Sequence, residues 1–179
     1  MGLALRVKRD ISQDIAQGMT LNAPQLRRLY EDWRVRRCVP IPRRADFDPA
    51  SLSYILGSLS LFEVLRDPMR FRARVHGTRM SEHLGHEFTG KFLDEAPPNK
   101  YYNLVLTHLT DVATHARPSF AWLVDQAREP PTMESESLVL PLSRDGDTVD
   151  YLISAAVHHR RFSLNEVTDP VQHIVPLPV

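Results

Sequence analysis

Hydrophobic spacing divides the chain into helical and extended stretches before any chemistry is considered. Leu26, Leu29, Tyr30 and Trp33 recur at three- and four-residue intervals behind Asn22-Ala23-Pro24, the spacing of one face of an amphipathic helix with a proline early in its first turn. The helix has to stop before Pro40, because proline removes a ladder donor and clashes with the preceding turn. Asp48-Pro49 followed by Leu52, Ile55, Leu56 and Gly57 predicts a second short helix with an aspartate cap and a glycine terminus. Beyond Gly57 the period falls to two. Phe71, Ala73 and Val75 alternate with Arg72, Arg74 and His76, as in a strand with one buried face. Residues 58–65 form the preceding strand, and Arg66-Asp67-Pro68 supplies the turn of a hairpin.

Residues 77–98 read as short helical turns punctuated by Gly85 and Gly90 and anchored by Leu84, Phe88, Phe92 and Leu93. Residues 99–115 are the clearest helix, with Tyr102, Val105, Leu109, Val112 and Ala116 gathered on one face. Three strands are expected at 120–125, 133–142 and 151–158, the last two joined through Asp145-Gly146, a strong hairpin signal. The tail, 161–179, carries Pro170, Pro176 and Pro178, which excludes a regular helix near its end. It is expected to be extended or disordered, with Val171, Ile174, Val175 and Leu177 available to pack on the domain. The chain thus divides into a helical arm (1–45), an α+β domain (46–160) and the tail.

With 179 residues, 42% of them hydrophobic, the chain suffices for one buried core. A lone cysteine, Cys38, and the absence of paired cysteines give no sign of an oxidising compartment. The apolar patch Leu3-Ala4-Leu5 is interrupted by Arg6 and Lys8, too short for a signal-peptide core. Arg6 also stands where the myristoylation pattern has Ser or Thr, and no apolar run approaches a membrane span. A cytoplasmic location without membrane attachment is the expectation. The zero net charge conceals a split, with ten basic against four acidic residues through Arg44 and twelve against eighteen beyond it. A basic arm of this kind suits docking on its own domain, on a second copy or on an acidic partner.

Five local patterns carry a resemblance to a known family. They are Leu29-Tyr30-x-x-Trp33, Pro42-x-x-x-Asp46-x-Asp48-Pro49, Phe71-Arg72-x-Arg74-x-x-Gly77-Thr78, Gly85-x-x-Phe88-Thr89-Gly90-Lys91 and Leu140-Pro141-Leu142-Ser143-x-Asp145-Gly146. In this order, and with the element sequence strand, strand, short helices, long helix and three strands, the chain resembles single-domain bacterial PAS proteins with a helical lead-in. The resemblance implies a PAS-like fold, a five-stranded antiparallel sheet with short helices and one long helix on one face, preceded by N-terminal helices. It also implies a cavity between the sheet and the long helix, and relay of a sensed molecule or bound protein through the flanking helix. With no kinase, cyclase, DNA-binding or phosphodiesterase segment in the sequence, output is expected to pass to an unidentified signalling protein. The flavin-linked light sensors of the family need a cysteine facing the cofactor, whereas Cys38 lies in the lead-in.

On the PAS reading the ligand-binding residues are Phe71, Ala73, Val75, Leu84, Phe88, Phe92, Val105, His108, Leu109, Trp122 and Ile153, suited to an apolar or aromatic molecule, although the same residues equally fit a filled core. No cofactor is named by the sequence. In the haem-binding branch the axial histidine comes from the long helix, where His108 is central; its plain alternative is a partly buried surface histidine. His83 and His86, flanked by Glu82 and Glu87, supply two ligands where a metal site wants three or four. His158 and His159 are adjacent on a strand and point to opposite faces. There is no nucleophile elbow, zinc-protease motif or phosphate loop. The arginines around Tyr30 and Trp33 resemble a phosphate-binding stripe, but a pI near 7.1 and the acidic remainder argue against nucleic acid. The expected function is therefore non-enzymatic: a sensory or regulatory module that binds a small molecule and signals as a homodimer through Leu26, Leu29, Tyr30 and Trp33. A ligand-free protein-interaction module is the alternative, and a metal-dependent enzyme a distant third.

Overall fold

Among the described residues six antiparallel strands, β1 (Leu59–Leu65), β2 (Arg70–His76), β3 (Ser119–Asp125), β4 (Glu134–Leu142), β5 (Tyr151–His158) and β6 (Pro170–Pro176), form one sheet in the order β2-β1-β5-β4-β3-β6. The structure is a computed structural model describing residues 21–127, 130–160 and 162–179; the readings made on Gly2, the Leu3-Ala4-Leu5 patch, Arg6 and Lys8 lie outside them. β1 (Leu59–Leu65) and β2 (Arg70–His76) make the expected hairpin. β3 (Ser119–Asp125), β4 (Glu134–Leu142) and β5 (Tyr151–His158) follow, β4 pairing with β5. At their connection Gly146 holds φ 106°, a left-handed conformation that glycine adopts without strain.

The sixth strand corrects the expected count of five. β6 (Pro170–Pro176) pairs with β3, so the proline-bearing tail is an edge strand, where a missing donor on the outward side costs no ladder bond. Its entry is held by Asp125, whose Oδ1 accepts from the Asp169 backbone N–H at 2.8 Å.

Among the described residues three α-helices accompany the sheet: α1 (Pro24–Val35), α2 (Thr78–Leu84) and α3 (Lys100–His115). Asn99 caps α3 by accepting from the Tyr101 N–H at 2.8 Å. The second short helix expected after Asp48 is instead two 3-10 turns, Pro49–Leu52 and Leu56–Ser58. Asp48 does act as a cap, accepting from the Ala50 N–H, and Leu52 and Ile55 of this segment are drawn into the outer core.

Alternation along the strands gives the sheet two apolar faces and the molecule two cores. The inner face packs Phe62, Phe71, Ala73, Leu123, Val139 and Leu152 against α2 and α3. The outer face packs Leu59, Leu61, Phe120, Leu138, Leu140 and Ile153 against α1 and the 3-10 turns. One irregularity decides which residue reaches which face. Leu61 pairs with Val75 but Phe62 pairs with Ala73, leaving Arg74 as an extra residue on β2. A bulge of this kind reverses the side-chain phase, so Val75 turns away from Phe71 and Ala73, contrary to the unbroken alternation expected from sequence, and His76 takes the inner face.

Candidate functional site

Between the inner face, α2 and α3 lies a cavity of about 40 Å³. Its apolar walls include Phe62, Met80, Leu84, Phe88, Tyr102 and Val105, and its polar lining includes Ser60, His76, His108, Ser135, Ser137 and His158. The polar groups come in serine–histidine pairs built by register. Ser60 and His76 are paired residues of β1 and β2, with Oγ 2.9 Å from Nδ1. Ser135 and His158 are paired on β4 and β5, with Oγ 2.6 Å from Nδ1. His108, on α3, meets Ser119 Oγ at 2.8 Å through Nε2 and Ser137 Oγ at 3.3 Å through Nδ1.

Burial sets the charge state of this cluster. Removal from water disfavours an imidazolium, lowering His76, bringing His108 down to about 4 and His158 to about 3. For His158 the nearby His83 and His159 act in the same direction. All three rings are therefore neutral at pH 7, and burial raises the Tyr102 phenol to about 12, keeping it protonated.

Three buried polar atoms of this lining have no partner: His76 Nε2, His158 Nε2 and the Tyr102 hydroxyl. Among the described residues Ser60 Oγ and Ser135 Oγ each meet one side-chain acceptor, the Nδ1 of their histidine. With the hydroxyl donating to Nδ1, Nε2 carries the imidazole proton. The cavity thus presents neutral N–H and O–H donors, suited to a small molecule with acceptor oxygens. His108, with both nitrogens engaged and only 2% exposed, is a cross-link between α3 and the sheet rather than an open ligand.

The order of strands and helices and the cupped cavity agree with one family, and its description, PAS domain, matches residues 21–156. The chain belongs to the PAS domain family. Among solved structures it is similar to a sensory box sensor histidine kinase from Vibrio cholerae, with 17% identity and a TM-score of 0.43 over 62% of this chain and 89% of that one. No curated protein matches it.

Of the residues expected to line a PAS pocket, the structure brings together Leu84, Phe88, Val105 and His108. Phe71, Ala73 and Leu109 are fully packed in the inner core behind them. Phe92 lies outside, under the Arg70 guanidinium at 3.7 Å. Val75 is carried to the outer face by the Arg74 bulge and Ile153 by strand phase. Trp122 is also on the outer side, its ring 5.4 Å from that of His159. The missed residues include four serines, Ser60, Ser135, Ser137 and Ser154. Their one sequence signal is a serine in the inward phase of an otherwise apolar strand, as in Ser135-x-Ser137 and Ser154.

His83 and His86 do not combine as a metal pair. His83 packs against His158 at 4.4 Å and stacks on Phe162, while His86 is exposed beside Phe88. Among the described residues no group of three or more His, Cys, Asp or Glu side chains converges, and no helix is long and apolar enough to cross a membrane.

Leu26, Leu29 and Trp33, expected to meet another chain, are buried against the protein's own sheet. Trp33 Nε1–H donates to the Pro141 carbonyl at 2.8 Å, and the Tyr30 hydroxyl to the Pro178 carbonyl at 2.7 Å. Glu136, fully buried on the outer face of β4, accepts from the Asn22 and Ala23 N–H groups at 2.7 and 3.0 Å and lies 3.0 Å from His159 Nε2. An acidic group at these amides complements the positive end of α1. The sheet therefore grips α1 at its start through Glu136 and near its end through Pro141.

Proposed function

We propose that this PAS domain is a sensory module whose input is a small acceptor-bearing molecule in the sheet–α3 cavity and whose output is the placement of α1, read by a separate signalling protein. The observation that carries the reading is the set of three unpartnered buried groups, His76 Nε2, His158 Nε2 and the Tyr102 hydroxyl, since buried polar groups without partners are uncommon unless something else satisfies them. Adjacent residues support the route outward: Ser135 and His158 face the cavity, while Glu136 and His159 hold α1 from the opposite side. Release of α1 would uncover Leu26, Leu29 and Trp33, the surface for a partner or a second copy. The role is regulatory rather than catalytic.

The test is native mass spectrometry of the full chain as purified, beside Val105→Trp, which fills the cavity. A defined extra mass on the wild type that disappears in the variant supports the sensor. A clean wild-type mass favours a ligand-free interaction module. That second reading draws on the cavity's 40 Å³, room for a few waters, whereas small-molecule pockets run to about 300–1,000 Å³.

A further inference from the structure

The outer face carries a second and larger cavity, about 370 Å³, roofed by the 3-10 turns and floored by β1, β2 and β5. Local geometry keeps it open. The Arg74 bulge turns Val75 into it, and Val75 stays 42% exposed. At one wall the backbones of Gly57 and Gly77 meet so closely that a Cβ on Gly77 would overlap the Gly57 and Leu56 carbonyls, so no side chain at 77 fills the space.

The lining is apolar, with Leu52, Leu59, Leu61 and Ile153 among its walls, and it holds one cation, Arg44. Arg44 is positioned by its backbone, which donates to the Ser143 carbonyl at 2.7 Å. Its Nη1 donates to the Phe47 carbonyl. Arg36, Arg70, Arg72 and Arg144 each have a carboxylate within ion-pair distance; among the described residues Arg44 has none. A second polar group, His76, is 8% exposed, lines both cavities and has no partner at Nε2.

We propose that this outer groove is a ligand site distinct from the sheet–α3 cavity, taking an apolar monocarboxylic acid with its chain on Leu59, Leu61 and Val75 and its carboxylate on Arg44. The volume falls in the range of small-molecule sites. A single guanidinium matches one carboxylate through paired N–H donors, and the apolar walls offer nothing to a second charge. The two cavities share one lining residue, His76.

The probe is decanoate below its micellar concentration, titrated calorimetrically into the full chain, with decanol as the uncharged molecule of equal length. One decanoate per chain is expected. Val75→Trp, a change at a half-exposed position, abolishes the heat. Arg44→Gln weakens decanoate at least about tenfold, roughly 1.4 kcal/mol, and erases its advantage over decanol. Val105→Trp, in the inner cavity, leaves decanoate binding unchanged. Circular dichroism verifies that each variant folds, and Arg44→Gln, at a partly buried position, keeps the test decisive if Val75→Trp does not. Loss of binding in Val105→Trp with retention in Val75→Trp would place the acid in the inner cavity and overturn the proposal. No wild-type heat overturns it too, and a changed oligomeric state in Val75→Trp would then assign the groove to a second copy of the chain.

Discussion

The two faces of the sheet are built on different terms. The inner face surrounds its cavity with neutral serine–histidine pairs, and among the described residues three polar atoms of the cavity lining have no partner. The outer face clamps α1 with fully buried Leu26, Leu29 and Trp33 and meets its one buried charge, Glu136, with two backbone donors and His159. Satisfied polar groups in a packed core specify one arrangement, whereas unpartnered ones leave free energy for a ligand to recover. The contrast separates a surface that holds from a surface that waits. Successive residues of β4 and β5 serve opposite faces, which links the start of α1 to the lining of the inner cavity.

The largest test of the contrast is Trp33→Ala. The side chain is fully buried and donates to Pro141, so equilibrium urea unfolding is expected to lose about 3–5 kcal/mol. A loss below about 1 kcal/mol would mean that α1 lies loosely on the sheet and the outer face is not the rigid one.

The inner face should reveal itself through pH. His108 and His158 have folded pKa values lowered to about 4 and about 3, so on acidification the unfolded chain takes up protons first. Stability is full above the unfolded value near pH 6.5 and declines as pH falls toward the folded values, by about 1.4 kcal/mol per pH unit for each such histidine. Urea unfolding at pH 5 and pH 7 should show this decline, with a shallower one in His108→Gln. An equal slope in the variant would mean that His108 is not held neutral by its burial.

Glu136→Ala is expected to cost about 1–3 kcal/mol and to speed hydrogen exchange at the Asn22 and Ala23 amides, because the oxygen that accepts from both is gone. Unchanged exchange there would uncouple α1 from β4. The smallest effect belongs to Ser135→Ala, about 1 kcal/mol, with a shift of the His158 ring resonances as its Nδ1 loses the hydroxyl. If those resonances stay in place, Ser135 does not set the tautomer.

Much of the fold was legible because local signals were consistent. The 3.6-residue stripe of residues 99–115 became α3 with its Asn99 cap, and Asp145-Gly146 joins β4 to β5. The short helix after Asp48 and the role of the tail were not legible. Both are decided by what the segment packs on: Leu52 and Ile55 against the outer core, and residues 170–176 against the free edge of β3. The candidate site divides the same way. Leu84, Phe88, Val105 and His108 line the inner cavity, whereas Val75, Trp122 and Ile153, expected there too, lie on the outer face.

By itself the sequence determined where helices and strands form, which residues are apolar enough to be buried, and which family the chain resembles, because these rest on periodicity, capping and turn chemistry within a few residues. Only the tertiary structure decided which face each strand residue takes, since a single inserted residue such as Arg74 reverses the phase without altering the composition around it. It likewise decided that Ser60 meets His76, Ser135 meets His158 and Glu136 meets the start of α1, because those meetings depend on strand register and packing across 16 to 114 positions of chain, distances over which no local pattern carries information.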